Sequence, residues 1–191
     1  MKKCEKVTHL GKIVFAEGFT VKKNKHGFGI FSNKDYKAGE VVYIGNFVTL
    51  PDDGSCFSYE TEEGLFVEED SETHYVLLHG RRFRFSDCLI NHSCDPNLIC
   101  GKNNTPTTPD VKEGHYEMLA LKDIKAGDEF SVDYDLFDWD CTGHKFKCEC
   151  GAKDCRGEIK GFSELTPENQ EKLLPYAEDY IIEMYYKNKQ G

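Results

Sequence analysis

Three cysteines fall within eight residues near the C-terminal end, Cys148-Glu149-Cys150 and Cys155, in the spacing C-x-C-x4-C. Structural zinc takes four thiolate or imidazole ligands in a tetrahedron, so this cluster offers three corners and needs a fourth from elsewhere in the chain. Gly151 lets the backbone turn tightly around an ion. On spacing alone Cys88, Cys94, Cys100, Cys141 and His144 are all candidates for the fourth position. Three unlinked thiols in a loop would instead leave oxidisable sulfurs exposed with nothing gained. The cluster therefore predicts a metal staple.

The chain has 191 residues, enough for one domain with a short appendage and a real core. Its nine cysteines are an odd number, and Lys2-Lys3 are not followed by the apolar stretch of a secretory signal. Both features predict an intracellular, reducing compartment, nuclear or cytoplasmic, rather than a disulfide framework. No apolar run is long enough to span a bilayer. A net charge of −10 argues against nucleic-acid binding driven by the bulk field and favours a basic partner, although mild acidity also serves solubility.

Short apolar segments separated by turn residues dominate the first two thirds of the sequence. Residues 12–16, 28–31, 41–44, 47–50, 75–78, 116–121 and 129–132 read as strands, with turns at 24–27 and 37–40. Residues 101–114 are polar and turn-rich, hence a loop, and no internal repeat stands out. The tail changes character. Thr166-Pro167-Glu168 offers an N-cap, a proline at the first helical position and an early acid. Leu173, Ala177, Tyr180, Ile181 and Met184 then share one helical face, with Pro175 setting the start or bending the helix. This predicts a β-rich body with a C-terminal helix that serves packing.

Leu89-Ile90-Asn91-His92-Ser93-Cys94-Asp95-Pro96-Asn97 runs from an apolar pair into polar side chains and then a proline, too polar for an ordinary core strand. A surface turn is the plain alternative. Downstream, Lys122 to Asp133 reads as a turn leading into a strand that delivers Tyr134.

Taken in order, these segments resemble the SET-domain methyltransferases. The family's Gly-x-Gly loop matches Gly27-Phe28-Gly29 and its Ala-Gly-Glu turn matches Ala38-Gly39-Glu40. Its Asn-His-Ser-Cys-x-Pro-Asn segment stands unbroken at 91–97, its Glu-x-x-x-Asp-Tyr strand ends at Tyr134, and its post-SET motif matches Cys148, Cys150 and Cys155 followed by Arg156-Gly157. The resemblance covers about residues 12 to 160 and lacks the pre-SET cysteine cluster. It implies a mostly β, β-clip fold with a knot-like crossing: a SET domain over 12–136, a zinc-binding post-SET segment over 144–160 and a C-terminal helix over 163–188.

The resemblance also implies roles. Gly27, Phe28 and Gly29 would let the backbone approach S-adenosylmethionine, Asn91 and His92 would hold it, and Phe146 would cover its adenine. Tyr134 would be the catalytic tyrosine and touch the cofactor, and Cys94 would complete the zinc site of Cys148, Cys150 and Cys155. A lysine amine of pKa about 10.4 is mostly protonated in water, but burial beside a sulfonium favours its neutral form, which a tyrosine hydroxyl can orient. The implied activity is methylation of a lysine on a protein or basic peptide. Many lysine methyltransferases of the family carry Phe or Tyr two residues before the catalytic tyrosine, where this chain has Val132; the arginine frequent three residues before Asn-His is Cys88. Val132, with Phe137 nearby, would then shape a roomier substrate pocket, which leaves a free amino acid or small amine as an alternative substrate. A zinc-stapled peptide-binding module without catalysis is the alternative of another class.

Overall fold

The computed structural model describes residues 19–50, 89–101, 115–141 and 145–190 and the short strands at 13–14, 59–62, 65–69, 75–78 and 81–84; these strands, 45–50 and 115–116 are described by their backbone alone. Cys4, Cys56, Cys88, His144 and nearly all of the expected loop at 101–114 lie outside the described residues.

The architecture is mostly strands, as the sequence predicts. Phe19–Asn24 (β2) and Gly27–Ser32 (β3) form a hairpin in the register Asn24↔Gly27 to Phe19↔Ser32. Its turn is closed by His26 N donating to Asn24 Oδ1 at 2.8 Å, and Gly27 takes a φ of 126° that only glycine adopts freely. Val41–Leu50 (β4) is one strand, where the sequence suggests two separated at Gly45-Asn46. It sits at the centre of a five-stranded sheet between Leu65–Glu69 (β6) and His115–Ala120 (β11), with Tyr59–Glu62 (β5) and Leu98–Cys100 (β10) at the edges. Ile13–Val14 (β1), Tyr75–Leu78 (β7) and Arg81–Arg84 (β8) form a separate three-stranded sheet.

Two very short strands bring the polar segment and the tyrosine together. Asn91–His92 (β9) pairs in parallel with Ser131–Val132 (β12), in the register Ser131↔Asn91 and Val132↔His92. Residues 91–97 are thus not purely a turn: the first two form strand, because their polar side chains find partners rather than apolar burial. Asn97 locks the crossing, its Nδ2 donating to Glu129 O at 2.8 Å while its Oδ1 accepts from Ser131 N at 2.9 Å.

A short repeat organises the same region, where the sequence alone suggested none. Lys34-Asp35-Tyr36-Lys37-Ala38-Gly39 and Lys122-Asp123-Ile124-Lys125-Ala126-Gly127 differ at one position and face each other in a reciprocal arrangement. Tyr36 N donates to Ile124 O and Ile124 N to Tyr36 O, each at 2.9 Å. Asp123 accepts from Lys37 Nζ and Ala38 N, while Asp35 accepts from Lys125 Nζ and Ala126 N. The salt bridges are exposed and contribute little by themselves. Their value is in satisfying turn N–H groups, which pins the chain just before Phe130.

Phe19, Ile30, Leu89, Leu98, Ile124, Phe130 and Val132 form the core under these turns. Phe130 is wholly buried and meets Phe19 edge-on at 5.3 Å; burying such a side chain stabilises by about 1.5–3 kcal/mol. A second cluster joins Leu136 and Phe162 to Ala177, Tyr180, Ile181 and Tyr185, and Phe137 touches both clusters.

The tail is not one helix over 163–188. Thr166 caps Pro167–Leu173, accepting from Asn169 N at 3.3 Å, as the sequence predicts. A 3-10 turn, Leu174–Tyr176, then interrupts the helix at Pro175, whose missing N–H breaks the ladder, and the C-terminal helix runs from Asp179 to Lys189. Glu178 N donates to Leu136 O at 3.2 Å, so this helical pair braces the residues just after Tyr134. Among the described residues no helix is long and apolar enough to cross a membrane.

Candidate functional site

Strand β12 hands Tyr134 to a 3-10 turn, Tyr134–Leu136, whose N-cap Asp133 accepts from Asp135 N at 3.2 Å. This short turn keeps the tyrosine ring beside β9. The Tyr134 hydroxyl donates to Ile90 O at 2.7 Å, so its proton is committed to the backbone and its oxygen is presented as an acceptor. Tyr134 N donates to His92 Nδ1 at 3.2 Å, and the two rings meet edge-on at 5.4 Å. With Nδ1 accepting, a neutral His92 carries its proton on Nε2, which lies 3.3 Å from Cys94 Sγ. Burial, together with the Arg156 guanidinium, pushes His92 down to about 4, so the ring is neutral at physiological pH.

Asn91 stands on the other side of this residue pair. Its Nδ2 donates to Phe28 O at 3.0 Å and to Glu129 Oε1 at 2.7 Å. Both partners are acceptors, so the amide cannot be flipped, and Oδ1 is the atom left to face a ligand's donor. Asn24 Nδ2 donates to the same Glu129 oxygen at 2.5 Å. Gly29 lies directly beneath this knot of bonds: a Cβ there would collide with Glu129 Oε1 and come within 2.8 Å of Asn24 Nδ2. The Phe28 ring turns away and packs on the core, so its contribution to the site is its carbonyl.

Cys94, which the resemblance and not the spacing singles out, lies beside the clustered cysteines. Cys94 Sγ lies 3.8 Å from Cys148 Sγ, and Cys155 Sγ lies 3.6 Å from Cys148 Sγ. Four sulfurs at about 2.3 Å from one zinc ion would stand about 3.8 Å apart, so these two separations suit such an ion, although the donor atoms that all lie within 4.8 Å of one another are those of His92, Cys94, Cys148 and Cys150, without Cys155. Backbone N–H groups already point at the sulfurs: Cys94 N and Ala152 N to Cys150 Sγ at 3.5 Å each, and Arg156 N to Cys94 Sγ at 3.4 Å. Burial opposes ionisation of Cys150, yet those N–H groups and the neighbouring thiols hold it down at about 6. Cys141, by contrast, is pushed up to about 12 by burial and by Asp138. Cys100 lies in the first core, away from the cluster. His92 also falls among the potential donor atoms. It is unsuited to be a ligand, because metal on Nε2 would force the proton onto Nδ1, against Tyr134 N–H. Its place is beside Cys94, as a donor to the sulfur.

A cleft of about 200 Å³ opens between these elements, lined among others by Asn91, His92, Tyr134, Phe146, Cys148 and Cys150. Phe146 is 44% exposed yet meets Tyr134 edge-on at 6.3 Å, so its apolar ring stands at the mouth. Val132 and Phe137 do not line this cleft; Val132 is buried in the first core and Phe137 bridges to the C-terminal cluster.

Several residues at the site escape sequence reasoning. His26, Lys147 and Glu149 also line the cleft, and Lys25 Nζ donates to Glu149 O at 2.6 Å, tying the β2–β3 turn to the cysteine segment. Glu129 and Arg156 sit in motifs already noticed, but their partners are distant in sequence and nothing local signals them. Arg156 is bound to both acids flanking the tyrosine, Asp133 Oδ1 at 2.5 Å and Asp135 Oδ2 at 2.8 Å.

The family model described as SET domain matches residues 27–135. A human histone-lysine N-methyltransferase described as H3 lysine-36 specific is 29% identical over 178 residues, covering 87% of this chain and 6% of that protein. Human histone-lysine N-methyltransferase 2B is 32% identical over 137 residues, 69% of this chain and 5% of its own length. The chain thus spans only a small part of the curated relatives it matches. Among solved structures, KRYPTONITE in complex with mCHG DNA and SAH aligns with a TM-score of 0.51 at 22% identity, over 73% of this chain and 28% of that one.

Proposed function

Because the chain belongs to the SET-domain family, we propose that it is an S-adenosylmethionine-dependent methyltransferase acting on the side-chain amine of lysine in a protein. The observation that carries this reading is the convergence of Asn91, His92, Tyr134 and Phe146 on one cleft beside the cysteine cluster. Asn91 offers an acceptor oxygen suited to an ammonium group, its amide nitrogen being held by Glu129 and Phe28. Phe146 offers an apolar ring at the mouth, suited to a purine. When bound, the cofactor supplies an electrophilic methyl group on a sulfonium.

The chain's own residues do the positioning. With its proton engaged by Ile90 O, the Tyr134 oxygen accepts an N–H of the neutral amine and aims the nitrogen lone pair. It orients rather than ionises the substrate, which suits a reaction whose barrier responds to alignment. Cys94, Cys148, Cys150 and Cys155 would hold one structural zinc ion, with His92 linking it to the backbone of Tyr134. The net charge of −10 supports a basic, lysine-bearing peptide or protein as partner, histone or other, in place of direct nucleic-acid binding. Thiol ligands support residence in a reducing compartment. The histone-lysine activity named for the relatives supports the substrate class.

Incubating the purified chain with methyl-labelled cofactor and a panel of lysine-bearing basic peptides tests this. Label should appear on lysine. Cofactor binding by calorimetry without transfer to any peptide or free amine would favour a binding module, and transfer only to free amines would redirect the substrate class.

A further inference from the structure

Arg156 follows the last cysteine of the cluster, and its side chain reaches back to both residues that flank Tyr134. One nitrogen, Nη2, donates to Asp133 Oδ1 and to Asp135 Oδ2. Neither aspartate side chain is exposed, and that of Arg156 is only 10% exposed. The far side of Asp135 is held as well, its Oδ1 accepting from Lys160 N at 3.0 Å and Gly161 N at 2.8 Å. At the other end of the same residue, Arg156 N donates to Cys94 Sγ. One amino acid therefore touches a sulfur of the cluster through its backbone and grips the tyrosine turn through its side chain.

Resting on the reading of Tyr134 above, we propose that Arg156 is a positioning residue for it, acting through Asp133 and Asp135. The acids are residues i−1 and i+1 of the tyrosine, so tethering both to one guanidinium fixes the turn that sets the direction of the ring. Two buried carboxylates sharing one cation is also a costly arrangement to keep for packing alone. Apart from Asp135 N, the hydrogen-bond donors to the two carboxylates are Arg156, Lys160 and Gly161, in the segment just after the last cysteine. Assembly of the cysteine cluster and aim of the hydroxyl are thus one event.

The test uses the zinc-loaded chain and Arg156→Gln, with Tyr134→Phe as the partner in a double-mutant cycle. Arg156→Gln should lower kcat by about tenfold or more while leaving cofactor affinity and zinc content near wild type. In the Tyr134→Phe background the same change should cost less than about twofold, since the group it acts through is gone. Independently of activity, the ring-carbon NMR signal of Tyr134 should shift in Arg156→Gln. Equal losses in the two backgrounds, or an unmoved Tyr134 signal, would overturn the proposal and leave Arg156 a fold-stabilising residue. Should Arg156→Gln lose its zinc or its fold, Asp135→Asn is read by the same two measurements and the same criteria. A wild-type chain that transfers no methyl group would sink the proposed activity, whereas the NMR comparison would still decide the role of Arg156.

Discussion

The carboxylate of Glu129 stands in the space that a side chain on Gly29 would occupy. The glycine of the Gly-x-Gly loop is therefore required by the protein's own interior, since Glu129 must reach across β3 to bind Asn24 and Asn91. Gly29→Ala should destabilise the fold by about 1–3 kcal/mol, the usual range for overpacking, and weaken cofactor binding as Asn91 shifts. Removing the obstacle in Gly29→Ala/Glu129→Ala should recover much of the stability but not the binding. Denaturant unfolding and calorimetry on wild type and the two variants check this; a Gly29→Ala protein as stable as wild type would contradict it.

Purified protein should carry about one zinc ion per chain, on Cys94, Cys148, Cys150 and Cys155. Cys155→Ser should lower the zinc content, whereas His92→Ala should retain it, because the imidazole is placed as a donor to sulfur. Elemental analysis distinguishes the two. Chelation should also reduce cofactor affinity, since Cys94 lies two residues from His92 and three from Asn91.

Tyr134→Phe should lower turnover by about a hundredfold or more, as expected when one oriented polar group is lost from a transition state. The ring packing against His92 and Phe146 is kept, so thermal unfolding and cofactor affinity should change little. A variant with wild-type turnover would show that another group orients the amine.

The reciprocal turns carry a pH signature. Asp35 is held below the usual carboxylate value first by its hydrogen bond from Lys125 and then by Ala126 N; Asp123 is held down in the same way by Lys37 and Ala38 N. A depressed carboxyl contributes stability above its unfolded pKa of 3.8 and loses it as pH falls through the lower folded value. Asp35→Asn and Asp123→Asn should therefore melt below wild type at pH 7, with the gap closing towards pH 3. Melting curves across that range decide it; a gap independent of pH would assign the effect to shape alone.

Val132 is buried at 7% exposure between His92 and the first core. Val132→Tyr should lower stability by about 1–3 kcal/mol through overpacking of that core. Denaturant unfolding checks this; a variant as stable as wild type would show that the core yields to the larger ring.

Much of the site is legible in the sequence because it lies in short, contiguous motifs. The cysteine spacing, the 91–97 segment and the strand into Tyr134 each carry local chemistry, and their order points to one family. The repeat at 34–39 and 122–127 was equally present in the letters but is too short to register as a repeat without its reciprocal pairing. Gly45-Asn46 reads locally as a break, yet β4 runs through it because β11 pairs with it as far as Asn46 and β6 takes over from Phe47.

By itself the sequence determined which groups are available: four thiols that can surround an ion, a tyrosine at a strand end, an asparagine and a histidine side by side, and a capped tail. Only the tertiary structure decided their connections. The proton of Tyr134 goes to Ile90 O, the histidine serves a sulfur, Glu129 fills the place beneath Gly29, and Arg156 holds the acids on either side of the tyrosine. Apart from His92 and Cys94, which stand two apart in one motif, these pairs join residues that no local pattern relates. Burial selects them, because a polar group removed from water must find a partner wherever the folded chain brings one.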